Sequence, residues 1–277
     1  MYTPILLSTT FGVFGLCLLI IVTSIFLIAI IRRDNSIMDI AYGPTFLLAG
    51  LMATLLTKNY STLTLLMLGL MTLWSLRLGI RIYRKNHGQP EDARYAAWRT
   101  LWSARGQVYF IVRSYLQINL LQGIIILFVA SPLILSLSQL SVTTALYPLL
   151  IYSVPLGIIV FAAGLIIETV ADWQLDRFIA GKRAGTESAT IMTKGLFRYS
   201  RRPNYFGESL IWWGLAIMVL PLPFGYLALV SPLLITYIVT KVTGPMLEKI
   251  FLAKYPAEYA TYMATTSYFI PRPPRQP

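Results

Sequence analysis

Residues 194–208 bring together the side-chain types that hold a polar ligand. Within fifteen residues they contain four cations, two tyrosines, one amide and one carboxylate, and they run directly into the uncharged apolar segment 209–240. If a helix begins at Pro203, a residue suited to the first helical position, Asn204 and Glu208 lie on the same helix face. Charged groups at the boundary of a membrane helix are costly and are functional by default. The pattern predicts a site for a phosphate-bearing ligand; the alternative is a capped, lipid-facing helix start.

Other acidic residues border apolar segments. Asp39 is either a first-turn acid that faces the helix dipole, or a carboxylic acid kept partly protonated by burial that hydrogen-bonds a substrate oxygen. Glu168 and Asp172 are four residues apart, so they share a helix face. They mark either a solvated helix end that pairs with Arg177 or Lys182, or a site where Asp172 receives an amide or a ribose hydroxyl.

Composition places the chain in a membrane. Hydrophobic residues make up 56% of its 277 residues and charged residues 12%, about half the charged fraction of a soluble protein. One crossing of the hydrocarbon core needs roughly 20 residues. We expect an all-α, multi-pass membrane protein in which seven transmembrane helices form a single domain, 1–277. The uncharged runs are 2–31, 40–57, 59–76, 114–167 and 209–240.

Lysine and arginine positions predict the orientation. Of the 23 Lys and Arg residues, 22 lie in the segments 32–36, 77–113, 168–204 and 241–277. The positive-inside rule then places the N-terminus outside and the C-terminus in the cytoplasm. The expected cytoplasmic caps over a ligand site are 83–108, 176–203 and 242–277. Attraction to anionic membrane lipid accounts for part of the charge.

The sequence does not predict a metal site, a Rossmann-type nucleotide site or a nucleic-acid-binding module. With His87 as its one histidine and Cys17 as its one cysteine, the chain cannot build a multi-histidine or multi-thiolate metal site, so no metal is predicted. It has no Walker A motif and no GxGxxG after a strand, so a nucleotide would be bound in a non-Rossmann manner. The sequence contains no soluble module of interleaved basic and aromatic residues, so nucleic-acid binding is not predicted.

The aromatic and arginine spacing of 83–105 suits a helix in the membrane interface.

A series of motifs in the right order resembles the membrane steroid 5-alpha-reductase family, particularly its bacterial branch. The resemblance covers most of the chain, in segments 34–43, 73–78, 194–208, 244–251 and 268–274. It implies seven transmembrane helices and NADPH held between the last helices and the cytoplasmic loops. It also implies reduction of a carbon–carbon double bond conjugated to a ketone in a steroid-like or other lipophilic enone, with hydride passing to the beta carbon.

On the substrate side, three family residues can be matched to positions of this chain, and two of the three positions carry a different residue type. The family's Gln-Glu pair falls on Met38 and Asp39, and its third-helix tyrosine falls near Trp74. Asp39 keeps the family's acid, whereas Met38 lacks the amide and Trp74 lacks the hydroxyl. Tyr42 or Tyr95 is expected to supply a compensating hydroxyl. Preorganised donors at the carbonyl oxygen would supply the main rate effect. The expected catalytic residues are Asp39, Trp74 and Tyr42.

On the cofactor side, this chain matches the family's binding residues more closely. Asn204 and Glu208 match the family's residues at the nicotinamide end, and Asp172 resembles its fifth-helix acid. Arg201 and Arg202 favour the 2'-phosphate of NADPH through charge-assisted hydrogen bonds. The remaining expected cofactor residues are Arg77, Arg177, Lys182, Arg183, Tyr199, Tyr205 and Glu248.

Two other function classes stay open. Isoprenylcysteine carboxyl methyltransferases share a similar Arg-x-Pro-x-Tyr-x-Gly-Glu element, which stands here at 201–208, but they bind S-adenosylmethionine. That group usually has shorter chains, fewer spans and Arg-His-Pro in place of the Arg-Arg-Pro found here. A non-catalytic lipid-binding or transport protein would bind no nucleotide, although the chain lacks the discontinuous repeated halves of many transporters.

Overall fold

The structure, a computed structural model, describes residues 4–139 and 147–275, and the regular elements in these ranges are helical. The chain divides into two compact units. The first unit comprises Met1–Tyr147 and Leu222–Leu227, and the second comprises Pro148–Pro221 and Ala228–Pro277.

The first unit contains the helices that run up to the undescribed residues 140–146. Its α1, α2 and α3 pack in sequence, and α6 and α7 pack against them. Asn59 ties the α2–α3 turn to the end of α7, because its Nδ2 donates to the carbonyl oxygens of Leu137 and Gln139 at 2.8 Å. The helices are α1 Pro4–Arg32, α2 Ile37–Thr57, α3 Thr62–Asn86, α4 Ala93–Ser103, α5 Gln107–Ser114, a π-helix Tyr115–Leu120, α6 Leu121–Val129 and α7 Ser131–Leu137.

The second unit is organised around one long helix. The helix α8 has 37 residues, and a short 3-10 helix, Gly195–Arg198, precedes α9. A second 3-10 segment, Gly225–Leu229, spans the boundary between the two units. The remaining helices are α8 Tyr147–Arg183, α9 Pro203–Val219, α10 Val230–Tyr237, a π-helix Ile238–Thr243, α11 Gly244–Lys254 and α12 Pro256–Thr265.

Four glycines let α8 and α9 touch backbone to backbone. A Cβ added at Gly164 would lie 2.6 Å from the Gly207 carbonyl oxygen, and one added at Gly214 would lie 2.5 Å from the Phe161 nitrogen. Gly157 meets Gly214 in the same way. Small residues at a helix interface allow this approach within a membrane. These four glycines, termed the glycine seam, therefore hold the first half of α8 against α9.

Six helices among the described residues are long and apolar enough to cross a membrane, which confirms a multi-pass helical membrane protein. The sequence prediction of seven includes α9, but α9 has 17 residues and falls short of the roughly 20 that one crossing needs. The seventh span and the direction of the termini therefore stay predictions. The six candidates are Ile5–Arg32, Ile37–Thr57, Thr62–Asn86, Gln107–Val129, Pro148–Arg183 and Gly225–Lys254.

Candidate functional site

A polar cluster in the first unit gathers around Asp39, in the first turn of α2. The Tyr95 hydroxyl of α4 donates to Asp39 Oδ1 at 2.6 Å, and Arg94 Nη2 lies 3.0 Å from Oδ2. Gln122 Nε2 of α6 lies 3.4 Å from both Asp39 Oδ1 and the Tyr95 hydroxyl. Asp39 thus accepts from three donors.

Burial and the nearby charge of Asp39 keep the Tyr95 phenol protonated. Tyr95 is 4% exposed, and burial, together with the nearby charge of Asp39, raises its pKa. The hydrogen bond to Asp92 raises the pKa of Arg94, which therefore stays a cation beside Asp39. The cluster consequently presents a neutral hydroxyl between a carboxylate and a guanidinium.

Two contacts hold α4 over the start of α2. Glu91 Oε1 accepts the Asn35 backbone N–H at 2.8 Å, and both Glu91 oxygens bind Arg99 at 2.8 Å. The Ser36 hydroxyl stands at the N-cap position of α2 but accepts the Asp92 backbone N–H at 2.8 Å instead of capping its own helix. Burial opposes ionisation of Glu91, but the Arg99 and Asn35 hydrogen bonds outweigh it and lower the Glu91 pKa.

Gln122 and Asn119 lie at this cluster but were not predicted from the sequence. Asn119 lies in the π-helix before α6, and its Nδ2 donates to the Val22 carbonyl oxygen at 3.3 Å and lies 3.5 Å from Met38 Sδ. Short π-segments inside helices often occur at functional sites. Two amides therefore lie beside Met38 and Asp39, where the sequence predicted the loss of one. The available signal was the presence of polar amides inside an uncharged apolar run.

The other expected substrate-side residues form an aromatic row. Tyr42 packs edge-on against Phe46 with ring centroids 5.3 Å apart, and Phe46 packs edge-on against Trp74 at 5.6 Å. Trp74 is 1% exposed. Arg77 follows Trp74 on α3, so this one expected cofactor residue belongs to the first unit.

A second polar cluster lies in the second unit, at the end of the glycine seam. Asp172 of α8 is 3% exposed, and Asn204 Nδ2 of α9 lies 3.4 Å from its Oδ1. Glu168 is also buried and stands one turn before Asp172. Glu208 follows Asn204 by one turn of α9. The structure therefore brings Asp172 and Asn204 together.

The adjacent arginines 201 and 202 have different environments. Arg201 is 8% exposed, its Nε donates to Glu248 Oε1 at 2.7 Å, and its Nη1 donates to the Thr266 carbonyl oxygen at 2.6 Å. The Met263 carbonyl oxygen accepts from the same Nη1 at 3.0 Å. Arg201 and Glu248, both expected at the cofactor, thus form an ion pair with each other that anchors the C-terminal segment.

Arg202 has hydrogen-bond donors that no described residue accepts. Its guanidinium lies 5.6 Å from the Phe251 ring centroid and 5.9 Å from that of Tyr205. Its Nε and Nη2 are buried and have no hydrogen-bond partner within the described part of the chain. A buried donor left unsatisfied costs about 1–3 kcal/mol, and more when it is charged. Arg202 is therefore suited to an anionic ligand group that has an aromatic wall beside it.

The remaining expected cofactor residues lie elsewhere in the second unit. Arg177 stacks on Trp173 at 5.6 Å and lines a cavity of about 660 Å³ together with Lys194. Lys182 and Arg183 form the last turn of α8. Tyr199 is exposed, and its carbonyl oxygen accepts the Arg272 backbone N–H. Across residues 4–139 and 147–275, no group of three or more His, Cys, Asp or Glu residues is arranged to hold a metal ion.

Comparison with known proteins gives one match. The family DUF1295, described as "Protein of unknown function (DUF1295)", matches residues 25–266. This range contains both polar clusters. No curated protein and no solved structure matches the chain.

Proposed function

Because the chain belongs to the DUF1295 family, and because its residues resemble the membrane steroid 5-alpha-reductases, we propose that it is an NADPH-dependent oxidoreductase. Its reaction is reduction of a carbon–carbon double bond conjugated to a ketone in a steroid-like or other lipophilic enone. The observation that carries the proposal is the half-buried Arg202, whose buried Nε and Nη2 lack an acceptor among the described residues. It lies two residues before Asn204 in the cluster where the resemblance puts the cofactor.

The second cluster suits both ends of a nicotinamide nucleotide. A guanidinium with free donors binds phosphate through charge-assisted hydrogen bonds, which favours NADPH over NADH. Asp172 and Asn204 form an acceptor and donor pair, which matches the amino and carbonyl groups of a carboxamide. Glu208, Tyr205 and the further expected cofactor residues are included in this proposal, except Arg201 and Glu248, which pair with each other.

The first cluster suits a polarised ketone. When bound, the cofactor supplies hydride to the beta carbon of the enone, and negative charge develops on the carbonyl oxygen. The protonated Tyr95 hydroxyl, positioned by Asp39 and Gln122, turns its single proton from Asp39 Oδ1 to this oxygen and so stabilises the charge. Donors fixed before the reaction give such stabilisation its strength. Tyr95 therefore takes the place of the hydroxyl that Trp74 lacks, and Tyr42 stays in the aromatic row beside Trp74.

The proposed topology has seven spans in a single domain, with α9 as the additional short span. The N-terminus lies outside and the C-terminus lies in the cytoplasm. The segments 83–108, 176–203 and 242–277 then cap the cofactor on the cytoplasmic side. The basic residue distribution supports this orientation.

The test of the reaction is enone-dependent oxidation of NADPH by the detergent-purified protein, beginning with 3-oxo-4-ene steroids and other lipophilic enones. The proposal expects one reduced product per NADPH consumed, with turnover impaired in Asp39→Asn. Transfer of a methyl group from S-adenosylmethionine to a carboxyl substrate, with no enone reduction, would instead place the chain with the isoprenylcysteine-type methyltransferases.

A further inference from the structure

A small cavity in the second unit is separate from the Asp172–Asn204 cluster. Its volume is about 220 Å³, below the roughly 300–1,000 Å³ of pockets for drug-sized ligands. A cavity of this size suits one small chemical group. Among the described residues, three arginines and no acidic residue line it. The lining consists of Arg201, residues 263–268, Arg272, Pro273 and Arg275.

Hydrogen bonds fix the wall of this three-arginine cavity. The Arg201 backbone N–H donates to the Ser267 carbonyl oxygen at 2.8 Å, and the Arg275 backbone N–H donates to the Thr265 carbonyl oxygen at 2.9 Å. The Thr266 carbonyl oxygen accepts from Arg201 Nη1. These three carbonyl oxygens therefore already accept hydrogen bonds from the protein. The arginine side chains add positive charge to this wall.

The cavity has an excess of two positive charges. Glu248, 2.7 Å from Arg201 Nε, balances the charge of Arg201. Arg272 and Arg275 are exposed, and neither side chain forms a hydrogen bond or ion pair with another described residue. An anion at this place would balance these two guanidinium charges, and either arginine can bind it in a bidentate manner.

We propose that the three-arginine cavity binds a phosphate group, supplied either by the headgroup of an anionic phospholipid or by a soluble phosphate. Ile270, on the same segment, is 52% exposed, so an apolar side chain accompanies the two arginines. Basic pockets on the cytoplasmic side of membrane proteins bind anionic headgroups. Arg202 is not among the lining residues, so this site does not depend on the proposed reductase activity.

The test is thermal unfolding of the full chain in neutral detergent with inorganic phosphate, phosphatidylglycerol or phosphatidylcholine added. We expect phosphatidylglycerol or inorganic phosphate, but not phosphatidylcholine, to raise the unfolding temperature. Arg272→Gln/Arg275→Gln should weaken the apparent affinity about 30-fold. A response to inorganic phosphate identifies a small-anion site, and a response to phosphatidylglycerol alone identifies a headgroup site.

The control is Arg84→Gln/Lys85→Gln, which removes two exposed cations from the last turn of α3. It should respond like the wild type. An equal loss in both double variants, an equal response to phosphatidylcholine, or no response to either anion overturns the proposal. An unliganded unfolding temperature that matches the wild type shows that a variant is folded. The NADPH response of the same samples tests the reductase proposal separately.

Discussion

The Tyr95 hydroxyl and Asp39 Oδ1 are 2.6 Å apart, although the two residues are separated by 56 positions in the chain. This contact joins α4 to the start of α2. The sequence suggested that 83–105 is an interfacial helix, and exposed Trp98 and Leu101 agree with that role. In the structure the helix of this region is α4, Ala93–Ser103. Its buried Tyr95, whose ring centroid lies 5.7 Å from that of Trp98, belongs to the polar cluster, so α4 contributes to the candidate site as well.

Disrupting the hydrogen bond between Tyr95 and Asp39 should slow turnover while the cofactor still binds. For Tyr95→Phe we expect kcat to fall by about 10²-fold or more, the usual effect of deleting one preorganised donor. For Asp39→Asn we expect a similar loss, because the partner that orients Tyr95 is weakened. The measurements are steady-state enone reduction and NADPH titration. Tyr109→Phe, which removes an exposed contact to Arg105, is the matched control; lost NADPH binding in the Tyr95 variant would contradict this division of roles.

Replacing Arg202 should affect ligand binding and spare folding. Its Nε and Nη2 are buried without a partner in the described residues, so Arg202→Gln should leave the unliganded unfolding temperature unchanged or raised. NADPH affinity should fall about 10- to 100-fold, the equivalent of one charged hydrogen bond or more, and NADH affinity should fall less.

The comparison variant for that experiment is Arg201→Gln. It removes a buried ion pair with Glu248, and breaking such a pair costs about 3–5 kcal/mol. Arg201→Gln should therefore unfold at a clearly lower temperature. If Arg202→Gln proves to be the more destabilising of the two, the assignment of Arg202 to a ligand is wrong.

The glycine seam should be intolerant of a single methyl group. A Cβ at Gly207 would lie 2.6 Å from the Glu168 nitrogen and 2.7 Å from the Gly164 carbonyl oxygen. Gly207→Ala should therefore separate α8 from α9, lower the unfolding temperature and weaken NADPH binding by moving Asn204 from Asp172. Gly69→Ala is the control, since no atom lies within 4 Å of its added Cβ. Equal behaviour of the two variants would show that the seam does not position the site.

Acid should weaken the attachment of α4. The pKa of Glu91 is lowered in the folded protein because the Arg99 and Asn35 hydrogen bonds outweigh the effect of burial. Its contribution to stability is therefore present above the unfolded value of about 4.3 and is lost as the pH falls through the lower folded value. Glu91→Gln should destabilise the protein by about 1.5–3 kcal/mol at neutral pH. It should also flatten the stability profile below about pH 4.3, measured by thermal unfolding across pH; an unchanged acid limb would argue against this contact.

Hydropathy was sufficient to predict a multi-pass helical protein, because long apolar runs in a bilayer can satisfy their backbone only as helices. It did not settle whether α9 spans, since 17 residues lie at the limit of a crossing. The i, i+4 spacing of Asn204 and Glu208 was visible in the sequence, and helix periodicity placed both on α9.

Other features depended on tertiary structure. Arg201 and Arg202 are indistinguishable as neighbouring letters, and only the position of Glu248 shows that Arg201 has a structural role. Gln122 approaches Asp39 after a π-helix has altered the register of the helix that carries it. No local pattern predicts either relationship, because each depends on residues more than forty positions away.

The most direct test of the central claim is the thermal stability of the purified protein with NADPH, NADH or S-adenosylmethionine. A ligand at a hundredfold excess over its dissociation constant stabilises the folded state by about 2.7 kcal/mol. The account predicts a large shift with NADPH, a smaller one with NADH and none with S-adenosylmethionine. A shift with S-adenosylmethionine alone would make the protein a methyltransferase candidate, and no shift with any of the three would contradict a nucleotide-dependent enzyme.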